Sequence, residues 1–152
     1  MRITTILGAI IALFTGMAIG TQSTITSRVG SIIGDVRTGL FTNFIGGLIA
    51  GSLVLVMLFS DRPQSWKMPG VILGFLALSG LLGIFIITGI SFSLQRAGIA
   101  AGLATVILGQ LVLSTLIDTL GVGGVQAIPL SFRRVLGLLI TGLGVFLLLP
   151  RN

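Results

Sequence analysis

The chain has no cysteine, no histidine and no tyrosine, and its only acidic residues are Asp35, Asp61 and Asp118, so glutamate is absent as well. Without cysteine there is no disulfide framework, no thiol nucleophile and no cysteine-based metal site, and without histidine the commonest metal ligand and general base are missing. No metal, no cofactor and no enzymatic chemistry is expected from such a set of side chains. Charge of either sign is scarce: 8% of the 152 residues are charged, against roughly 25% in a soluble domain. What is there instead is apolar, with 54% hydrophobic residues and a mean hydropathy of +1.19. So little polarity cannot cover a surface in water, and the expected class is an all-α integral membrane protein, in which each helix satisfies its own backbone within the lipid.

The net charge of +6 comes from nine Lys and Arg residues against three Asp. In a soluble protein that excess points to nucleic acid. Here the cations stand one or two at a time between apolar runs, the pattern of interfacial anchors, so the expected surroundings are membrane lipid and not nucleic acid. Residues 1–20 have the look of a signal peptide, with Arg2 before an apolar run, but the rest of the chain is equally apolar and they read as a first membrane span.

A helix crossing a hydrocarbon core of roughly 30 Å needs roughly 20 residues. Five apolar stretches occur, at about 3–22, 38–59, 69–90, 97–120 and 135–149, uncharged except for Asp118 near the end of the fourth, and they make one transmembrane domain of residues 1–152. Ser60-Asp61-Arg62-Pro63-Gln64 closes the second span, Trp66 and Lys67 mark an interface, and Pro69 suits the start of the third helix. The segment 23–37, with Arg28, Asp35 and Arg37 among Gly30, Ile32, Ile33 and Gly34, fits either a continued first helix or an interfacial turn. Gly121, Gly123, Gly124 and Pro129 break the chain before the fifth span.

The 23 glycines fall largely inside the spans. Gly16 and Gly20, Gly47 and Gly51, Gly70 and Gly74, and Gly98 and Gly102 each have the GxxxG spacing that lets helix backbones approach in lipid, and all eight are expected at helix contacts.

If five helices alternate direction, Arg2, Arg62, Lys67, Arg133 and Arg134 share one side of the membrane, and Arg28, Arg37, Arg96 and Arg151 share the other. Lys and Arg bias sets orientation, and a split of five to four gives the insertion machinery almost no instruction. A chain inserted both ways can pair with an inverted copy of itself and so build the inverted-topology repeat of many transporters. The alternative is that the Arg133 and Arg134 pair fixes a single orientation.

Polar groups at membrane depth usually face the bundle interior, a partner or a water-filled cavity. The candidates for contact with a solute are Gln22, Asn43, Thr88, Gln110, Ser114 and Asp118, of which Gln110, Ser114 and Asp118 follow at i, i+4 and i+8 along one helix face. Each also has a plainer role. Gln and Asn amides join helices, Ser and Thr bond back to the preceding turn, and Asp118 lies within reach of Arg133 or Arg134. With no carboxylate in mid-span, a proton-coupled exporter of lipophilic cations is disfavoured.

The run Arg96-Ala97-Gly98-Ile99-Ala100, then Gly109-Gln110, Asp118, Gly121, and Leu130-Ser131-Phe132-Arg133-Arg134-Val135-Leu136-Gly137 followed by Gly142 and Gly144, resembles the YdcZ-type family of the drug/metabolite transporter superfamily. Gln22 with Arg28 and Gly30, and Phe44-Ile45-Gly46, extend the likeness over most of the chain. The resemblance implies a five-helix unit equal to half of a ten-helix inverted-repeat transporter, in a bacterial inner membrane, with members known as dual-topology homodimers, opposite-topology pairs and fused tandem forms. It names no substrate.

The expected function is therefore transport of a small solute by alternating access in an antiparallel homodimer. One alternative is a small dual-topology ion channel of the fluoride-channel kind, to whose second helix Thr42-Asn43 with Gly46-Gly47 bears a faint likeness; those channels have four spans and a Thr- and Phe-rich break that 73–90 lacks. Another is a non-transporting membrane helper subunit held by its glycine faces.

Overall fold

A computed structural model describes residues 3–60, 68–121 and 126–150, and all regular structure in them is helical. Five helices follow one another: α1 (Ile3–Ile33), α2 (Asp35–Ser60), α3 (Gly70–Ala97), α4 (Ile99–Leu120) and α5 (Phe132–Leu148). The first four are long and apolar enough to cross a membrane. α5 has 17 residues, about 26 Å of helix and the short end of what a hydrocarbon core accepts. The expected anchors Arg2, Asp61 to Lys67 and Arg151, and the loop residues Gly123 and Gly124, lie outside the described residues.

The chain settles the segment 23–37 in favour of helix. α1 runs eleven residues past its expected end and stops at Gly34, whose φ is +89°. α3 likewise runs on through Gln95 and Arg96 to Gly98, with φ +82° and ψ 161°, a region open essentially to glycine alone. Both junctions are one residue long. At each, the glycine N–H donates to the carbonyl four residues back, Gly30 or Leu94, while its own carbonyl accepts from the amide four residues on, Thr38 or Gly102. The helical hydrogen bonding therefore continues on both sides of a single left-handed residue, and few backbone groups are left unmet where the chain turns.

Residues group into two compact units, Met1–Phe92 and Ser93–Asn152. In the first, α1 packs on α2. Burial is confined to one end: Ser23, Thr26 and Gly30 of α1, Thr38 and Gly39 of α2 and Ser91 of α3 are buried, whereas 5–19, 44–59 and 68–82 are exposed throughout. The three helices close together where α1 turns into α2 and stand open at the opposite end. The buried residues are small or hydroxylic because lipid supplies no hydrophobic drive between helices, and close backbone approach with interhelical polar contact takes its place.

In the second unit α4 packs on α5. Leu94 folds across the Gly98 junction onto Gly102, and Leu94, Ala101 and Val145 are buried. Gly121 caps α4 in the left-handed conformation, and the Ser131 hydroxyl accepts from the Arg134 N–H at the start of α5.

Candidate functional site

α2 and α3 meet along a seam of three rungs. Asp35 Oδ1 accepts a 2.6 Å hydrogen bond from Ser91 Oγ, and Ser91 is fully buried. One turn further along α2, Gly39 lies so close to α3 that a Cβ there would strike Thr88 Oγ1 and come within 2.9 Å of the Ile84 carbonyl oxygen. At the third rung the positions are exchanged: Asn43 Oδ1 lies 2.8 Å from where a Cβ of Gly83 would be. Residues 35, 39 and 43 are spaced i, i+4 and i+8, one face of α2. Asn43 holds itself in place by donating from Nδ2 to the Gly39 carbonyl at 2.8 Å, which leaves its carbonyl oxygen directed at α3.

Beyond the third rung the helices part. They enclose an open cleft of about 590 Å³ lined by Leu40, Phe41, Asn43, Phe44, Gly80 and Ile84. Asn43 is the polar member of that wall, placed at the closed end of a largely aromatic and aliphatic slot.

The structure thus joins Asn43 and Thr88, two of the six residues expected to contact a solute, on one seam. It does not bring Gln22 to that seam. Gln22 is exposed on α1 and no hydrogen bond joins it to another described residue. Gln110 is exposed on α4 in the same condition. Ser114 donates to the Leu111 carbonyl at 3.2 Å, and Asp118 is paired with Arg134, with Nη2 to Oδ2 at 3.2 Å. The plainer expectation for Asp118, a partner just after the short loop, describes what it does in the chain. Both members of that pair are about one-third exposed, so it holds α4 to α5 with modest strength. Arg134 Nη1 is buried and has no hydrogen-bond partner among the described residues.

Within the single chain the glycines expected at helix contacts stand mostly in open space. Among the described residues Gly102 has a neighbour, Leu94, while a Cβ added at Gly16, Gly20, Gly47, Gly51, Gly70, Gly74 or Gly98 meets nothing within 4 Å. The close approaches within the chain fall on Gly39 and Gly83, which stand four residues from Asn43 and five from Thr88. Their signal in the sequence is a small residue four or five positions from a polar one, which the GxxxG spacing does not contain. Asp35 and Ser91 were likewise passed over, because Asp35 sits in what reads as a connecting segment.

A family model described as "Putative inner membrane exporter, YdcZ" matches residues 7–147. The chain belongs to the YdcZ family. That likeness takes in all five helices except the first few residues of α1 and the last of α5, so the fold is that of a multi-pass inner-membrane protein, and the family is one of exporters and not an enzyme class. Comparison with the curated proteins and with solved structures gives no match. In the first unit of this YdcZ-family chain the helices are closed at one end and open at the other, with Asn43 where the opening begins.

Proposed function

We propose that the chain exports a small solute by alternating access, working as a dual-topology antiparallel homodimer in which two five-helix chains make the ten-helix inverted arrangement of drug/metabolite transporters. The observation that carries this reading is the α2–α3 seam, latched at Asp35 and Ser91 and opening past Asn43 into a cleft. The first unit, built on α1, α2 and most of α3, is closed at one end and open at the other. An inverted second copy would set its closed end beside the open end of the first, whereas a parallel copy would put both open ends on the same side. The near-equal split of cations, five against four, supports insertion in both directions.

The solute site in this reading lies between the subunits near the membrane midplane, with Asn43 and Thr88 of the seam and the exposed amide of Gln22 as its hydrogen-bonding groups. Ser114 and Asp118 suit it less, since one is bonded to its own helix and the other to Arg134. Exchange between outward and inward access needs the α2–α3 opening to close as the partner's opens, and the open space at Gly47, Gly51 and Gly74 leaves the helices free to approach.

The test is to fuse reporters of cytoplasmic and external location after Asn152, with and without one added Lys at either end. Signal from both reporters, shifted by single lysines, is the expected result. One reporter alone, whatever lysines are added, removes the antiparallel pair and leaves a parallel oligomer or a partner of opposite orientation.

A further inference from the structure

The middle of α4 presents a carboxamide that no hydrogen bond joins to another described residue. Gln110 is the twelfth of the 22 residues of α4, so it sits within about 1 Å of the midpoint of a helix about 33 Å long. At that depth neither water nor a lipid chain offers a donor or an acceptor, and an unmet amide is costly. Beside it Gly109 has nothing within 4 Å of its Cβ position, while Ile107 and Ile117 are 50% and 40% exposed. A polar centre between apolar shoulders, with a glycine that admits a close backbone, is a face made for another helix.

What that helix is follows from depth. In a pair related by a two-fold axis in the membrane plane, a residue above the midplane has its copy at the same distance below it and out of reach, and only a residue at the middle finds its own copy at its own level. A carboxamide is self-complementary, its N–H donating to the other's oxygen and receiving the same in return.

We propose that α4 is the contact helix of the pair, and that Gln110 forms reciprocal amide hydrogen bonds with the Gln110 of an inverted second copy. This rests on the antiparallel reading above and adds to it the surface by which the copies meet.

The chain has no cysteine, so a single introduced one reports its own contacts. Oxidation of Gln110→Cys in native membranes is expected to give a cross-linked dimer, and Val112→Cys, about 200° around the helix, is expected to give none. Leu103 and Ile117 flank Gln110 by seven residues on either side; co-expressed Leu103→Cys and Ile117→Cys chains carrying different tags are expected to cross-link with each other and not with themselves. Native mass spectrometry supplies the second arm: Gln110→Asn keeps the dimer, and Gln110→Leu weakens it by about 3- to 30-fold. If the wild type is dimeric but Gln110→Cys stays uncross-linked, or all three chains associate equally, the Gln110 contact is wrong and the inverted pair stands with another interface. If Leu103→Cys and Ile117→Cys each cross-link with themselves, or the wild type is monomeric, the inverted pair falls too.

Discussion

At the scale of single residues, the seam between α2 and α3 depends on what is missing at two positions. Gly39→Val would drive a side chain into Thr88 and the Ile84 carbonyl, and Gly83→Ala would press on the Asn43 oxygen. Overpacking of this kind costs about 1–3 kcal/mol. Thermal unfolding in detergent is expected to show both variants destabilised while Gly47→Ala, where a Cβ meets nothing, stays close to wild type. Equal stability of all three would mean that the seam does not hold the unit together. Asp35 is a separate case. Ser91 is fully buried and donates to it, so Asp35→Ala leaves a buried hydroxyl without this acceptor at a cost of about 1–3 kcal/mol, and Asp35→Asn, which keeps an oxygen, should lose less in the same assay. The polar residues were legible as polar and as deep in the membrane. Which of them touches what was not legible, because Asn43 and Thr88 gain their meaning from glycines on the opposite helix, forty or more residues away in the chain.

At the scale of elements, two glycines, Gly34 and Gly98, set where α1 and α3 end. Gly98 at φ +82° and ψ 161° occupies a region that costs any L side chain about 1–3 kcal/mol. Gly98→Ala is therefore expected to lower the unfolding midpoint although its Cβ would meet no atom within 4 Å. Gly137→Ala, inside α5 where a Cβ meets nothing within 4 Å, should not lower it. A neutral Gly98→Ala would mean that the junction straightens without loss, and hydrogen exchange at the Ile99, Ala100 and Ala101 amides, which open α4, would then report a continuous helix. Boundaries read from charge alone fell short here. Arg28 and Arg96 look like the ends of spans, yet helices continue past both, since long cationic side chains can reach the interface from inside a helix. Only a backbone conformation closed to other residues stops them.

At the scale of the whole molecule, orientation is governed by a few cations. Replacing Arg133 and Arg134 with Gln leaves three against four, which reverses the sign of the bias. The side bearing the carboxyl terminus then carries more positive charge, so a cytoplasmic reporter after Asn152 is expected to gain signal at the expense of an external one. An unchanged ratio would show that some other segment commands insertion. The change also removes the Asp118–Arg134 ion pair; because that pair is about one-third exposed, its loss should cost no more than about 1 kcal/mol, too little to unfold the unit and mimic a topology effect.

The sequence by itself determined that this is a membrane protein of five helices, because hydrocarbon admits no other use of so many apolar residues and so few charges, and it determined the even division of cations and the likeness to an exporter family. Tertiary structure decided which helix faces meet. In water an apolar stripe announces the buried side of a helix, but in lipid the outside is as apolar as the inside, so Leu, Ile and Val mark no face at all. Gly16, Gly20, Gly47 and Gly51 have the spacing of contact residues and stand open, while Gly39, Gly83 and Gly102 make the contacts. The difference lies in where a neighbouring helix crosses, a matter of angle and distance in three dimensions that no spacing along one chain contains.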